Sequence, residues 1–331
     1  MRKQLIILGT LLTLLIIGLM YFFNSNTNNL SQKEEREFAI KNTSKITKIF
    51  LVNAEGERIT LKKANNHWLI NNKYVARPSR VDLLLKTAQG IQVQQRVPKS
   101  QTQQVLKNLI TSHIKAEFYE NERLVKAYFI GSADGNSTGT YALLINPENY
   151  KNASTPFITH LLGFQGYLTP RFEPTLNTWR DLKVFFFPKN AIQSIKLEYP
   201  NSPKDNFTIT LTNGSYQITQ NGKSKTTNQA TLKKYLLNFK SVAAERLVKS
   251  PETALELKNK QPWFKLSVEN LLGKTIEVIG YKKEMPKGST NALGLPLKFD
   301  PDRFYGACFN ESFCVLQHYV FDPILTKYEN F

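Results

Sequence analysis

The chain has 331 residues, 41% of them hydrophobic and 21% charged, a balance that belongs to folded protein and excludes a disordered tail. Its formal net charge of +18 points to an anionic partner such as nucleic acid, lipid or a charged polymer. No run of five basic residues concentrates that charge, and lysines scattered over exposed faces would give the same total.

Residues 5–23, LIILGTLLTLLIIGLMYFF, carry no charge. As a helix rising ~1.5 Å per residue they would reach roughly 28 Å, close to the ~30 Å hydrocarbon layer of a bilayer. Arg2 and Lys3 precede the run and a polar Asn/Ser/Thr stretch follows it. This flank pattern predicts a transmembrane anchor over residues 5–23, with residues 1–4 as a cytoplasmic tip. The bulk of the chain would then be periplasmic, behind a single pass through a bacterial inner membrane. A cleaved signal peptide is the alternative, but the apolar run exceeds the usual ~7–15 residues and no small-x-small cleavage site follows it. Residues 24–44 read as a polar linker.

From residue 45 the pattern alternates. Residues 47–52 and 58–62 read as strands around an Asn53-Ala54-Glu55-Gly56 turn, and Asn65-Asn66 leads into a short strand over 67–71. Ser79-x-x-Asp82 resembles a capping box ahead of Val81, Leu84, Leu85, Ala88 and Ile91 at helical spacing. Ser100-x-x-Gln103 opens a second helix with Val105, Leu106, Leu109 and Ile110. A hairpin over 114–130 and a strand over 141–145 follow.

The same plan then recurs. Ile192 to Leu197 matches Ile46 to Leu51, 146 positions on; Tyr216-Gln217-Ile218 matches Trp68-Leu69-Ile70, and Ile279-Gly280 matches Ile130-Gly131. Phe321-Asp322-Pro323 and Tyr328 stand where Phe172-Glu173-Pro174 and Trp179 stood. Matches in constant order predict a duplication over 45–186 and 187–331, two unrelated domains with similar strands being the alternative. In the second copy Asn213-Gly214 suits a tight hairpin, Leu232, Tyr235, Leu236 and Phe239 share a helix face, and Ser250-Pro251-Glu252 starts another helix.

Cys308 and Cys314 have five residues between them, which is not a zinc spacing, and no other cysteine could complete a site. A local disulfide is the expectation in an oxidising compartment; free buried thiols are the alternative. His67, His113, His160 and His318 show no metal spacing. Gly222-Lys223-Ser224 and Gly273-Lys274-Thr275 lack the upstream glycine of a phosphate loop, and the glycine-rich residues 131–139 precede no helix. Trp179-Arg180-Asp181 is the one cluster whose aromatic, guanidinium and carboxylate groups could meet a polar ligand or partner; core packing with local pairing is its structural alternative.

The Trp68-Leu69-Ile70 strand, the helix pair, Ile130-Gly131, residues 141–145 and Trp179-Arg180-Asp181-Leu182 together resemble an uncharacterised bacterial envelope family. That family is a domain of unknown function, found in tandem copies behind one N-terminal span and sometimes encoded beside ABC-type transporter or gliding-associated components. The second copy departs from its pattern, with Tyr328-Glu329-Asn330 in place of Trp-Arg-Asp. The resemblance implies an envelope accessory role and brings no catalytic residue.

The expected fold is therefore α+β: an N-terminal transmembrane helix, then two tandem copies of a mostly antiparallel sheet domain with two helices each. The expected function is a membrane-anchored periplasmic binding or assembly subunit of an envelope complex, with an ABC-type transporter as one candidate partner. It would be no enzyme and would have no catalytic, cofactor or metal residues. Its partners would be the membrane through residues 5–23, other envelope or inner-membrane proteins, and anionic lipid or glycan, but no nucleic acid. An envelope hydrolase or polysaccharide-modifying enzyme, and an anionic glycan or lipid binding module, are the rival readings.

Overall fold

The computed structural model describes residues 13–17, 30–188, 190–309 and 312–331. The chain divides between Asp181 and Leu182 into two compact units. The division falls ahead of residue 186 because β10 (Lys183–Phe185) pairs with β15 (Val242–Ala243) of the second unit, and Ala244 donates its N–H to the Leu182 carbonyl.

The first unit is a nine-stranded sheet of β1 (Lys48–Asn53), β2 (Arg58–Ala64), β3 (His67–Ile70), β4 (Tyr74–Val75), β5 (Ile91–Arg96), β6 (Ile114–Glu120), β7 (Arg123–Ala133), β8 (Thr140–Ile145) and β9 (Phe157–Leu161). Its order is β4-β3-β2-β1-β6-β7-β8-β9-β5. Every pairing is antiparallel. Alternation sets the buried face: Ile49 and Leu51 of β1 are wholly buried while Lys48 and Phe50, which alternate with them, are only half-buried. Helix α1 (Pro78–Gly90) adds Val81, Leu84 and Ala88 to that core, and α2 (Lys99–Thr111) adds Val105 and Leu109. Tyr128 stands at the centre, its ring 6.0 Å from Phe38, 5.7 Å from Phe118 and 6.0 Å from Phe172.

The second unit holds β11 (Ile192–Glu198), β12 (Phe207–Thr212), β13 (Ser215–Gln220), β14 (Lys223–Lys225), β16 (Arg246–Leu247), β17 (Phe264–Asn270), β18 (Thr275–Glu284), β19 (Phe299–Phe309) and β20 (Ser312–Gln317). Their order, β14-β13-β12-β11-β17-β18-β19-β20-β16, follows the first sheet strand for strand. Two helices, α4 (Gln229–Leu236) and α5 (Pro251–Asn259), accompany it; α3 (Leu176–Trp179) in the first unit and α6 (His318–Phe321) in the second are single turns.

Three expectations need correction. The fold is mostly antiparallel sheet with few helices, and the expected N-terminal transmembrane helix is not supported: among the described residues no helix is long and apolar enough to cross a membrane. Of residues 5–23 only 13–17 are described, and they are helical. The remainder of that stretch, and residues 24–29 of the linker, lie outside the described residues. The signal-anchor reading and the single-pass inner-membrane location with a periplasmic bulk rested on that helix and are likewise not supported.

The third correction concerns Cys308 and Cys314, which are free thiols. Gly306, not Cys308, pairs with Cys314 across the β19–β20 hairpin. The two cysteines are therefore diagonal neighbours across the hairpin rather than a directly opposed pair, and their thiols meet as hydrogen-bond partners without a covalent bond. Their mutual hydrogen bond, and then burial, holds the Cys308 thiol well above its ordinary pKa.

Candidate functional site

A cleft of about 510 Å³ opens in the second unit between α4 and the segment that leads into β11. This lies within the ~300–1,000 Å³ range of small-molecule sites. The helix has two working faces. Asn228 caps its start by accepting the Ala230 N–H at 2.8 Å. Leu232 and Tyr235 turn into the core, where Tyr235 meets Phe207 and Phe239 edge-on. Ala230, Lys233, Lys234 and Leu237 fall at i, i+3, i+4 and i+7, so they share the other face and line the cleft.

Phe187, Pro188, Ile192, Tyr216 and Leu236 complete an apolar floor, and Lys240 joins the rim. Tyr216 is fixed from both sides. Its hydroxyl donates to the Ile192 carbonyl at 2.9 Å, while the Gln229 side chain accepts its N–H at 3.1 Å and donates to its carbonyl at 2.6 Å. Burial raises the Tyr216 pKa, so the phenol is a proton donor throughout the neutral range.

The first unit treats the equivalent place differently. Ahead of β1, Ile40 donates its N–H to the Ala88 carbonyl of α1 at 2.8 Å, and Phe38, Ile40 and Ile46 are buried. In the second unit Phe187 donates instead to the Phe239 carbonyl, beyond the end of α4. The lysine-bearing face of the helix is thereby left uncovered.

The charge on the rim is one-sided. Among the described residues the lining contains Lys233, Lys234 and Lys240 and no carboxylate. Among the described residues none of these three lysines is in an ion pair. Near the end of α4 the ammonium groups also suit the negative end of the helix dipole, which explains how the helix tolerates adjacent lysines.

Trp179, Arg180 and Asp181 have a structural setting. Trp179 is wholly buried and donates its indole N–H to the Glu173 carbonyl at 2.7 Å. The Arg180 guanidinium lies 4.2 Å from the Tyr74 ring centroid, and its backbone bridges to Ala76; the Asp181 N–H bonds to the Val75 carbonyl. The three residues tie the end of the first unit to its edge strand β4. Of the glycine-rich residues 131–139 the first three end β7 and the rest form the β7–β8 connection, where the buried Asp134 carboxylate accepts the N–H groups of Thr138 and Gly139, both at 2.8 Å.

The histidines are dispersed. His318 pairs with Asp322 at 3.0 Å, and His113 packs edge-on against Phe129 with ring centroids 4.5 Å apart. Among the described residues no three of His, Cys, Asp and Glu are placed to hold a metal ion. A sequence reading that follows only the apolar face of α4 passes over its lysine face. The signal was an Ala-x-x-Lys-Lys-x-x-Leu stripe beside the core stripe.

No family model matches the chain, and neither a curated protein nor a solved structure does so.

Proposed function

We propose that the protein is a non-catalytic binding module for an amphipathic lipid anion, a long-chain carboxylate being the simplest example. The observation that carries this reading is the α4 cleft, with its apolar floor and three lysines that no carboxylate among the described lining residues opposes. Burying about eight methylenes contributes roughly 6 kcal/mol at ~0.8 kcal/mol each. An exposed lysine paired with the head group adds only about 1 kcal/mol. The chain therefore supplies the affinity, and the lysines select the sign of the charge. The overall excess of +18 raises the local concentration of any such anion.

The test is titration of the full chain with a dansyl-labelled undecanoate, followed by displacement with unlabelled laurate. Saturable one-to-one binding is expected, with displacement by laurate but not by hexanoate. The combined substitution Lys233→Glu, Lys234→Glu and Lys240→Glu should weaken binding about tenfold, equivalent to 1.4 kcal/mol. Ala230→Phe, on the exposed cleft face, should obstruct it without touching the core. Absence of saturable binding, or binding indifferent to both changes while circular dichroism stays native, would falsify the reading.

A further inference from the structure

A second cleft of about 580 Å³ lies in the same unit, lined by a different set of residues around the start of β17 and the face of β18 that carries Lys282 and Glu284. We infer that it is a saccharide site, selective for a sugar that carries one carboxylate. The inference is independent of the α4 cleft and of the ligand proposed there.

Its chemistry is mixed where the first cleft is apolar. Trp263 and Phe299, both half-buried, present ring surface to the opening. Trp263 is held by its N–H bond to the Gly280 carbonyl at 2.7 Å and by edge contacts with Phe264 and Phe304. A rigid aromatic surface of this kind suits the C–H face of a pyranose ring, which is apolar although the rim of the ring is covered with hydroxyls.

The polar groups beside it are already half-engaged with each other. Gln261 donates one side-chain N–H to the Asn201 Oδ1 at 3.1 Å. That leaves the Gln261 carbonyl oxygen and the Asn201 amide nitrogen as an adjacent acceptor and donor. Two neighbouring sugar hydroxyls, one donating and one accepting, complement such a pair.

The lysines fix the charge of the ligand. Lys260 is neutralised by Glu284 at 2.9 Å, and Lys327 lies 3.9 Å from both Asp205 and Glu329. Lys282 is in no ion pair among the described residues; its ammonium sits 5.6 Å from the Trp263 ring centroid and 4.9 Å from that of Phe299. The rings hold this one uncompensated cation beside the stacking surface and the amide pair. A single carboxylate on the sugar would complete the charge balance, and a neutral sugar would leave Lys282 without a counter-charge.

The experiment is calorimetric titration of the full chain with an acidic trimer that carries one carboxylate, maltotriose oxidised at a single C6, and, separately, with maltotriose itself. The acidic trimer is expected to bind, and maltotriose at least about tenfold more weakly. Lys282→Gln should bring the acidic trimer down to the maltotriose level, whereas Gln261→Ala should weaken both sugars. The α4 triple substitution should change neither, so failure here and failure of the lipid-anion reading are separable. Phe299→Ser provides a second variant should Lys282→Gln alter folding. The proposal is overturned if the acidic trimer gives no binding heat at millimolar concentration, or if Lys282→Gln and Phe299→Ser bind it as the parent does. It is equally overturned if uridine monophosphate binds this cleft and both sugars stay silent.

Discussion

The hydroxyl of Tyr216 donates to the carbonyl oxygen of Ile192 across 2.9 Å, joining β13 to the first residue of β11 beneath the lysine-rimmed cleft. Both residues are buried, so water cannot replace the bond easily when it is removed. Tyr216→Phe keeps the ring and deletes the donor. It should lower stability by about 1–2 kcal/mol, the usual cost of leaving a buried acceptor unmatched. The check is a urea unfolding curve, with a lower midpoint and an unchanged slope. An unmoved midpoint would mean that the bond contributes nothing.

Acid sensitivity should trace in part to His113. Burial is the main cause lowering its pKa below the ordinary 6.5, with the Lys115 cation acting in the same direction, and its Nδ1 has no hydrogen-bond partner. Below pH 6.5 the unfolded chain therefore takes up this proton more readily than the folded one. The contribution to stability is complete above that value, declines as pH falls through the interval down to the folded pKa, and is lost below it. His113→Gln should lose less melting temperature than the parent between about pH 7 and about pH 5. Parallel losses in the two proteins would remove His113 as the cause.

Gly280 and Gly131 occupy matching positions, and their surroundings predict different costs for alanine. A Cβ at Gly280 would meet the Phe264 ring at 2.1 Å, and Phe264 is wholly buried against Trp263 and Phe304. A Cβ at Gly131 would meet the tip of Leu109 at 2.7 Å, a side chain with more freedom to turn aside. Gly280→Ala should cost about 1–3 kcal/mol as an overpacked core substitution, and Gly131→Ala less. Thermal melts of the two variants test the order, and equal or reversed losses would contradict it.

Local signals were legible where local chemistry decides. Asn213 and Gly214, both with positive φ, make the β12–β13 turn as an Asn-Gly pair should. Ser250 caps α5 by accepting the Thr253 N–H at 3.1 Å, with Pro251 in the first turn. At α1 the signal misled: the helix begins at Pro78 after Arg77, and no side-chain bond caps it, so Ser79 lies inside the first turn. Ile91, in phase with that helix, opens β5 instead. Its place depends on Leu161 of β9, its partner seventy positions along the chain.

By itself the sequence determined the turns, the alternation of β1 and β12 and the core face of α4, because each depends on residues a few positions apart. The tertiary structure alone decided which distant strand closes each sheet and that Cys308 sits diagonal to Cys314. It also decided which lysines stay without a carboxylate and which aromatic rings meet at a cleft. Those outcomes depend on distances between segments far apart in the chain, and neither spacing nor composition encodes such distances.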